Sequence, residues 1–230
     1  MEQDLKNLTD LVLKKNEELN LTAHRTFERC FWENVVDSLA YNLVDINWNG
    51  LKVLDIGTGG GFPLLPMGLM MPDTSFTGLD AREKKINAVL ELASGMQFSN
   101  ISGIAGRTED LAHDALYREQ YDVVTARAVA SMPILLEWSS AFIKQDGYLL
   151  AWKGSQAEDE IAEAAHAAKV LGLELMASVP YNLTQLKESY GIEEPLTLDD
   201  YERYLIVYKK YSKTKKMYPR NGGLIKKKPL

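Results

Sequence analysis

A ten-residue segment, V-L-D-I-G-T-G-G-G-F from Val53 to Phe62, constrains the fold of this chain more than any other part of it. Its first residues have the character of a buried strand that ends beside an acidic residue, and four glycines follow. Glycine tolerates a positive φ and lets a ligand approach backbone that a Cβ would shield, whereas a structural turn needs only one or two glycines. The segment therefore predicts a strand followed by a cofactor-binding turn. A glycine-rich turn without a ligand is the alternative.

The spacing of the glycines narrows the class of cofactor. The dinucleotide fingerprint G-x-G-x-x-G would need its third glycine at Phe62 when counted from Gly57, and at Leu64 when counted from Gly59, so it fails in both registers. The pattern that remains, D-x-G-x-G-x-G, is typical of Rossmann-like enzymes that bind S-adenosylmethionine (AdoMet). This cofactor has no pyrophosphate to seat on a helix N-terminus, so the missing third glycine agrees with it.

Strand and helix patterns alternate around this turn. Apolar runs predict strands at 52–56, 75–80, 101–105, 121–127 and 147–153, and an antiparallel pair at 173–179 and 203–209. Helical spacing predicts two N-terminal helices, at 4–19 and 27–43, and further helices starting near 62–66 and spanning 82–96 and 157–171. We therefore expect an α/β protein with the Rossmann-like fold of AdoMet-dependent methyltransferases. Its sheet should have seven strands, mostly parallel, with an antiparallel last strand.

Charge divides the chain into a body and a tail. The net charge is −6, but residues 209–230 contain nine Lys and Arg and no acidic residue, which leaves the preceding chain with 17 basic against 32 acidic residues. We expect N-terminal helices at 1–48 packed on the catalytic domain, an AdoMet-binding domain at 49–210, and an extended basic tail at 211–230. The asymmetry favours a tail that meets a polyanion, with a solvated and partly disordered tail as the alternative.

Composition excludes several other classes of protein. No apolar run approaches the roughly 18 residues of a membrane span, and the N-terminus lacks a signal-peptide pattern, so we expect a cytoplasmic protein. The single cysteine, Cys30, has no partner for a disulfide and is expected to be buried and inert. The three histidines have no companion at metal-ligand spacing, so no metal site is predicted.

The ends of the predicted strands carry the candidate cofactor ligands, because ligands of open α/β sheets bind at the carboxyl ends of the strands. Asp55 is expected to accept backbone N–H bonds from the glycine turn. Asp80 lies 19 residues beyond Gly61, close to the spacing at which a carboxylate accepts hydrogen bonds from ribose hydroxyls; capping the next helix is its alternative role. Thr108 and Glu109 follow the third strand, where they either recognise the adenine edge or simply begin a helix.

The fourth strand, which reads Y-D-V-V-T-A-R-A-V-A, indicates the kind of methyl acceptor. Arg127 stands where an amino-group methyltransferase would have Asn or Asp followed by Pro-Pro and an aromatic residue. Methylation of pyrimidine carbon 5 needs a cysteine nucleophile, and Cys30 is badly placed for that. A ring nitrogen such as guanine N7 loses no proton and needs only alignment. Arg127 is then a candidate to bind the cofactor carboxylate or purine O6, or to form a structural ion pair.

Taken together, these segments resemble the bacterial small-subunit ribosomal RNA guanine-N7 methyltransferases, the RsmG or GidB family. The resemblance runs through nearly the whole chain. It is carried by L-N-L-T (19–22), D-S-L (37–39), D-I-G-T-G-G-G-F-P-L-L-P (55–66), T-A-R-A-V-A (125–130), W-K-G (152–154) and Y-P-R-N-G-G (218–223). It implies methylation of guanine N7 in the decoding-region loop of 16S ribosomal RNA, with AdoMet as cofactor. The implied partner is 16S ribosomal RNA or the small ribosomal subunit, with no membrane and no obligate protein partner.

The resemblance also implies roles for individual residues. The cofactor ligands that it implies are Gly57, Phe62, Thr108, Glu109 and Arg127, with Arg127 also the catalytic candidate. The glycine pattern and the strand-end spacing add Gly59 and Asp80. The RNA contacts are Arg107, Lys153, Arg203, Lys215, Lys216 and Arg220. The chain departs from the family before D-S-L, where Glu33 and Asn34 replace a common basic residue and histidine. This change weakens the N-terminal contribution to substrate binding if the pair touches RNA.

Two other functions remain open on the sequence alone. The first is a small-molecule methyltransferase, which would keep the same cofactor site. The second is a non-enzymatic ribosome-binding protein that retains only a vestigial cofactor pocket. Trp152 likewise has two interpretations, a core residue or an aromatic platform for a base.

Overall fold

A single sheet of seven strands organises the computed structural model, which describes all 230 residues. The strands run β1 (Lys52–Ile56), β2 (Ser75–Asp80), β3 (Ile101–Ala105), β4 (Tyr121–Arg127), β5 (Ile143–Lys153), β6 (Leu173–Tyr181) and β7 (Arg203–Lys210). Their order across the sheet is β3-β2-β1-β4-β5-β7-β6. Strand β7 is antiparallel to both of its neighbours, and the other pairings are parallel. The predicted fold class is confirmed.

Ten α-helices accompany the sheet. They are α1 (Glu2–Leu19), α2 (Phe27–Cys30), α3 (Leu64–Met70), α4 (Glu83–Gly95), α5 (Thr108–Leu111), α6 (Met132–Ser140), α7 (Ala157–Glu163), α8 (Ala165–Leu171), α9 (Leu183–Tyr190) and α10 (Gly222–Lys227). None of them combines the length and the apolar character that crossing a membrane requires.

The helices cover both faces of the sheet and create two hydrophobic cores. On one face, α1 and the helical residues 27–43 pack with α3 and α4, and they contribute Leu5, Leu8 and Phe31 to the core. On the other face, α6 packs on β5 and α8 packs on β6, and the two helices contact each other in a core that includes Leu136 and Phe142. Burial on both faces explains why nearly all residues of β1 and most of β4 are buried, including Asp55 and Thr125. It also fixes the carboxyl ends of β1 and β4 next to each other in the middle of the sheet.

Two predicted helices are more irregular than their sequences indicate. The stretch predicted as one helix at 27–43 is a turn of α-helix, then a π-helix from Phe31 to Val36, then a 3₁₀-helix from Asp37 to Leu43. The stretch predicted at 157–171 is interrupted at Ala164 and forms α7 and α8. The connection between β6 and β7, predicted as a polar loop, contains α9, which Asn182 caps.

The predicted basic tail at 211–230 is not a separate extended appendage. Tyr218 and Ile225 are buried, and the last residues include the short helix α10. The guanidinium of Arg118 donates to the backbone carbonyls of Thr214, Lys215 and Tyr218 and so fastens the segment to the body. Apolar anchors and backbone hydrogen bonds therefore order this segment despite its charge, which composition alone does not reveal.

Candidate active site

The glycine turn after β1 has the strained backbone that the sequence predicts. Gly57, Gly59 and Gly61 have φ values of 66°, 57° and 90°, a region that other residues rarely adopt. A Cβ on Gly57 would lie 2.9 Å from a methyl group of Val129, and a Cβ on Gly60 would lie 2.8 Å from the carbonyl oxygen of Leu21. The glycines are therefore required mainly by neighbouring protein atoms that close in on the turn.

Asp80, rather than Asp55, holds the turn in place. Asp80 Oδ2 accepts a hydrogen bond from the Gly59 amide at 3.1 Å, and its Oδ1 accepts one from the Arg82 amide at 2.8 Å. Asp55 was predicted to do this, but it is completely buried and its Oδ1 accepts from the hydroxyl of Thr125 at 2.9 Å. Burial raises the pKa of Asp55 to about 7. Asp55 thus ties β1 to β4 beneath the turn.

A crevice of about 460 Å³, which we call the cofactor crevice, opens in front of the turn. It is lined by Leu21, Thr22, Asn34, Gly57, Thr58, Gly59, Gly60, Phe62, Asp80, Arg82, Lys85, Arg127, Ala128 and Val129. Its volume falls in the range of about 300–1,000 Å³ typical of small-molecule sites. A Cβ on Gly59 would meet no atom closer than 3.7 Å, so the space before the turn is free. Cations and a carboxylate on its walls suit a ligand that carries a carboxylate, an ammonium group and ribose hydroxyls. The crevice therefore fits AdoMet.

Arg127 forms the structural ion pair that was the alternative to a direct ligand contact. Its Nη1 donates to the Glu33 carbonyl at 2.8 Å and to Asp37 Oδ2 at 3.0 Å, and its Nη2 donates to Asn34 Oδ1 at 2.6 Å. The guanidinium lies 5.4 Å from the centre of the Phe62 ring. Three of its five N–H donors are thus used, and Nε makes no hydrogen bond to the protein. Arg127 links the end of β4 to the N-terminal helices while facing the crevice.

Glu33 and Asn34, which depart from the family pattern, both contact Arg127, and Asn34 also lines the crevice. The Asn34 side chain is buried, donates to Thr22 Oγ1 at 2.8 Å and accepts from Arg127. The Glu33 carboxylate lies 2.9 Å from His24 Nδ1. Both residues belong to the π-helical stretch, whose irregular hydrogen bonding leaves the Glu33 carbonyl able to accept from Arg127. The pair therefore positions Arg127.

A second and larger cavity of about 1010 Å³, the adjoining cleft, lies on the other side of the β4–α6 turn. Arg127, Ala128 and Val129 line both cavities, so this turn is a shared wall. The charged residues of the adjoining cleft are Asp37, Arg127, Lys153, Asp159, Glu160, Glu163 and Arg203. Ala128, although not glycine, has a φ of 55°, and such strain is concentrated at functional sites.

Asp37 organises the floor of the adjoining cleft. Its Oδ1 accepts from the hydroxyl of Tyr181 at 2.8 Å and lies 3.4 Å from Arg203 Nε, while its Oδ2 accepts from Arg127. Burial, and then the Asp37 carboxylate, raise the pKa of Tyr181 well above its usual value, so this phenol remains a donor. The indole of Trp152 is buried and donates to the Asp37 carbonyl at 2.9 Å. Trp152 is therefore a core residue and not a platform for a base.

The residues predicted to contact RNA fall into two groups. Lys153 and Arg203 line the adjoining cleft, where Lys153 Nζ donates to the Ala130 carbonyl at 2.7 Å and pairs with Glu160 at 2.6 Å. Arg107, Lys215 and Lys216 are exposed. Arg220 is different, because its guanidinium and amide bind the fully buried carboxylate of Glu137, with a shortest distance of 2.7 Å. Arg220, which was predicted to contact RNA, therefore uses its guanidinium in an ion pair within the protein.

The predicted adenine contacts lie apart from the crevice. Thr108 begins α5 and is nearly buried, in agreement with the alternative that it simply starts a helix. The Glu109 carboxylate packs against Gly222, where a Cβ would collide with it. Neither residue lines the cofactor crevice, and their binding of adenine stays a prediction. Cys30 is fully buried, and this burial raises the pKa of its thiol to about 11.

Sequence reasoning missed several residues of the two cavities. Thr22, Asn34, Arg82 and Lys85 line the crevice, and Asp37 and Tyr181 line the cleft. All six lie 20 or more residues from the glycine turn in the sequence, so spacing gives no signal for them. Thr22 and Asp37 had a weak signal, because they belong to the L-N-L-T and D-S-L segments of the family resemblance, and Asn34 was noted as a departure from the family pattern. The other three had no signal.

Sequence comparison identifies the protein's relatives. Residues 1–188 match the model of the GidB family, described as rRNA small subunit methyltransferase G. The chain belongs to the GidB family. Ribosomal RNA small subunit methyltransferase G from Lactobacillus helveticus is 34% identical to it over 221 residues, which cover 95% of this chain and 87% of that protein. The protein of the same name from Desulfitobacterium hafniense is 36% identical over 222 residues, which cover 96% and 86%.

Solved structures with little sequence identity share the fold of this GidB-family member. A SAM-dependent methyltransferase from Aquifex aeolicus aligns with a TM-score of 0.55 at 15% identity, covering 86% of this chain and 96% of that one. TYW2 from M. jannaschii, solved in complex with AdoMet, aligns with a TM-score of 0.56 at 13% identity, covering 77% and 76%. The fold is therefore that of Rossmann-like methyltransferases, and with the family membership it makes AdoMet the cofactor.

Proposed function

We propose that this protein transfers a methyl group from AdoMet to N7 of a guanine in 16S ribosomal RNA. The observation that carries the proposal is the shared wall formed by the turn after β4. Arg127, Ala128 and Val129 face both the cofactor crevice and the adjoining cleft, so a base seated in the cleft would meet the methyl donor at this wall. The names of the relatives, which are ribosomal RNA small subunit methyltransferases, supply the class of substrate.

The side chains at the shared wall favour a nucleophile that needs no base. Alanine and valine offer no proton acceptor, and Arg127 is a permanent cation. The nearest carboxylate of the cleft, Asp37, is already bound to two guanidinium groups and a phenol. Cys30 is fully buried and cannot act as a nucleophile toward a pyrimidine. Guanine N7 presents an in-plane lone pair and carries no proton, so it suits this wall.

Alignment of donor and acceptor is then the main source of rate enhancement. When bound, AdoMet supplies a methyl group on a sulfonium centre, so the N7 lone pair forms the new N–C bond while the S–C electron pair returns to sulfur. Holding two reactants in line contributes on the order of 7–11 kcal/mol to catalysis. Arg127 is rigidly held by Glu33, Asn34 and Asp37, and it positions the wall against which both reactants lie.

The crevice residues have distinct proposed roles toward the cofactor. Asp80 keeps free lone pairs beyond its two backbone contacts and would accept from ribose hydroxyls. The free Nε of Arg127 and the ammonium of Lys85 would meet the cofactor carboxylate. The open face of Gly59 and the ring of Phe62 would bound the remaining space.

The partner in this proposal is 16S ribosomal RNA, free or in the small subunit, and the place of action is the cytoplasm. The exposed Arg107, Lys215 and Lys216 would contact phosphates, which provides affinity without reading sequence. Recognition of the target must therefore occur in the adjoining cleft, with the base unstacked or flipped out of its helix.

Small ribosomal subunits that lack the modification provide the test. The purified protein is incubated with them and methyl-labelled AdoMet, and the 16S ribosomal RNA is digested for mass analysis. We expect the label in one N7-methylguanosine. Label in another nucleotide would overturn the choice of atom, and activity on a small molecule with inert RNA would select the small-molecule alternative. Binding of RNA without any affinity for AdoMet would select a non-enzymatic protein.

A further inference from the structure

The carboxylate of Glu160 has an unusual place among the charges of the adjoining cleft. Its Oε2 accepts from the Met132 amide at 2.8 Å and from Lys153 Nζ at 2.6 Å. Lys153 in turn donates to the Ala130 carbonyl at 2.7 Å. These contacts anchor the carboxylate to the turn whose preceding residues, 127–129, separate the cleft from the cofactor crevice. Glu160 Oε1 has no hydrogen-bond partner in the protein.

Two other carboxylates line the cleft without such anchoring. Asp159 and Glu163 lie on the same helix, α7, and are exposed, and neither forms a salt bridge. A nucleic acid is a polyanion, so the three α7 carboxylates in a cleft that accepts RNA need an explanation. Donor groups on the edge of a base provide one, because a carboxylate accepts hydrogen bonds from N–H groups but repels phosphate.

Arg203 gives an independent sign that the cleft receives a polar ligand. It lines the cleft with only 5% of its surface exposed, and its guanidinium stacks 3.9 Å from the centre of the Tyr201 ring. Its Nη2 is buried and has no acceptor. Buried donors are nearly always paired, so an unpaired guanidinium nitrogen points to an acceptor that the ligand brings.

We infer that Glu160 reads the target base as guanine, by accepting hydrogen bonds from its N1–H and N2 amino groups. This inference rests on the proposed function. Guanine carries these donors on the edge opposite N7, and its O6 acceptor lies between the two edges. A base held by Glu160 at its far edge presents N7 toward the shared wall. Arg203 Nη2 is then the donor for O6. Adenine lacks both N1–H and the N2 amino group, so the anchored carboxylate rejects it.

Inosine in place of the target guanosine tests the inference, since inosine lacks only the N2 amino group. Small subunits are reconstituted with 16S ribosomal RNA ligated to carry guanosine or inosine at the mapped target position. The ratio of kcat/KM for the two substrates is measured for the wild type and for Glu160→Gln. A lost carboxylate contact to a base edge changes discrimination by about tenfold or more. We expect the wild-type preference for guanosine to fall by at least this factor in Glu160→Gln.

Two matched variants separate base reading from structural support. Glu158→Gln changes an exposed carboxylate of the same helix outside the cleft, and it should keep both the activity and the ratio of the wild type. Lys153→Met removes the ion pair but leaves the carboxylate, so it should keep the ratio even if overall activity falls. Differences in the intrinsic reactivity of N7 cancel because each ratio is compared with that of the wild type.

Each outcome supports or overturns the role of Glu160 in reading the base. An unchanged ratio in Glu160→Gln, with normal affinity for AdoMet, would overturn the role of Glu160. Should this variant fail to fold, Glu160→Asp keeps the charge for Lys153 but withdraws it by one methylene, and it must then reduce the ratio. A wild-type enzyme that methylates neither substrate would instead refute the proposed function, and the inference with it.

Discussion

The cofactor crevice and the adjoining cleft are built in different ways, although they share the wall formed by Arg127, Ala128 and Val129. The crevice depends on backbone, because glycines in the left-handed region let neighbouring atoms close around the turn. The cleft depends on side chains, with Asp37 from the N-terminal helices pairing with arginines from β4 and β7. The glycine turn behind the crevice is encoded in ten consecutive residues, whereas a site made of paired side chains requires the whole fold.

Removing the carboxylate of Asp37 should damage the cleft far more than the crevice. Asp37→Ala leaves Arg127 without a counter-ion and leaves Arg203 with only its 3.4 Å pairing to Asp200, in a site where Asp37 is only 5% exposed. Breaking a buried ion pair from one side costs about 3–5 kcal/mol. We expect this loss in the free energy of unfolding measured in urea, together with loss of methyl transfer. AdoMet affinity should fall less, because the glycine turn is held by Asp80.

The surface ion pair of Asp146 with Lys209 provides the control for this prediction. Asp146 is 69% exposed at its side chain and has a φ of 68°, which Asn tolerates, so Asp146→Asn should change stability by less than about 1 kcal/mol. If Asp37→Ala were equally mild, the cleft would not depend on its central carboxylate, and the contrast between the two cavities would fail.

The corresponding change in the crevice is Gly57→Ala. The new Cβ would lie 2.9 Å from Val129 at a φ of 66°, so the wall of the crevice must move. The sequence alone suggested that a side chain at this position would collide with the ligand. In the structure it would collide with Val129 instead. We expect AdoMet affinity, measured by calorimetry, to fall by roughly tenfold or more, which corresponds to about 1.4 kcal/mol per factor of ten.

Gly191→Ala is the matched control for Gly57→Ala. Gly191 has a φ of 59° at the end of α9, and a Cβ there would meet nothing within 4 Å. Both variants should lose about 1–2 kcal/mol of stability through the left-handed backbone. Only Gly57→Ala should lose cofactor affinity. Equal AdoMet affinity in the two variants would show that the close approach of Val129 has no functional effect.

The contrast between local backbone and long-range side-chain pairs also explains which parts of the structure the sequence predicts. The strands, the glycine turn and most helices follow from local patterns of apolar residues and glycines. The grouping of Gly57, Gly59, Phe62, Asp80 and Arg127 in one crevice follows from the rule that strand ends meet at one edge of the sheet.

Contacts between distant segments could not be predicted in this way. The pairing of Asp37 with Arg203 joins residues separated by most of the chain, and the capture of Arg220 by Glu137 depends on how the last twenty residues pack. The hydrogen bond to the glycine turn was assigned to Asp55 instead of Asp80 for the same reason. Which carboxylate reaches the glycine turn depends on the register of β1 against β2, which composition does not fix.

Asp55, which ties β1 to β4 beneath the glycine turn, should make stability depend on pH. Its pKa is raised from an ordinary value of 3.8 to about 7, so the folded protein holds this proton more tightly than the unfolded chain does. Its contribution to stability is complete at low pH and is lost as the pH rises toward and through 7. We expect the free energy of unfolding without cofactor to drop between about pH 5 and pH 8 by roughly 2 kcal/mol more in the wild type than in Asp55→Asn.

Asp122→Asn serves as the control with the opposite sign. Lys144 and the backbone amide of Lys52 outweigh burial and lower the pKa of Asp122, so its contribution is lost only as the pH falls below its ordinary value. This variant should therefore keep the wild-type slope between about pH 5 and pH 8. A slope for Asp55→Asn that equals that of the wild type would show that Asp55 is ionised beneath the turn.

The smallest expected effect lies outside both cavities, at Lys215 and Lys216. These exposed lysines would add phosphate contacts without touching either cavity. Replacing both with Gln should weaken RNA binding. The slope of the logarithm of the RNA association constant against the logarithm of the salt concentration should become less steep by roughly 1.5, since each phosphate contact contributes about 0.7–0.9. AdoMet affinity should stay the same.

Lys14→Gln combined with Lys84→Gln removes the same charge from the body of the protein and should leave the slope unchanged. If both double variants changed the slope equally, net charge rather than the position of the tail would govern the encounter with RNA. The adjoining cleft would then have to provide orientation as well as recognition.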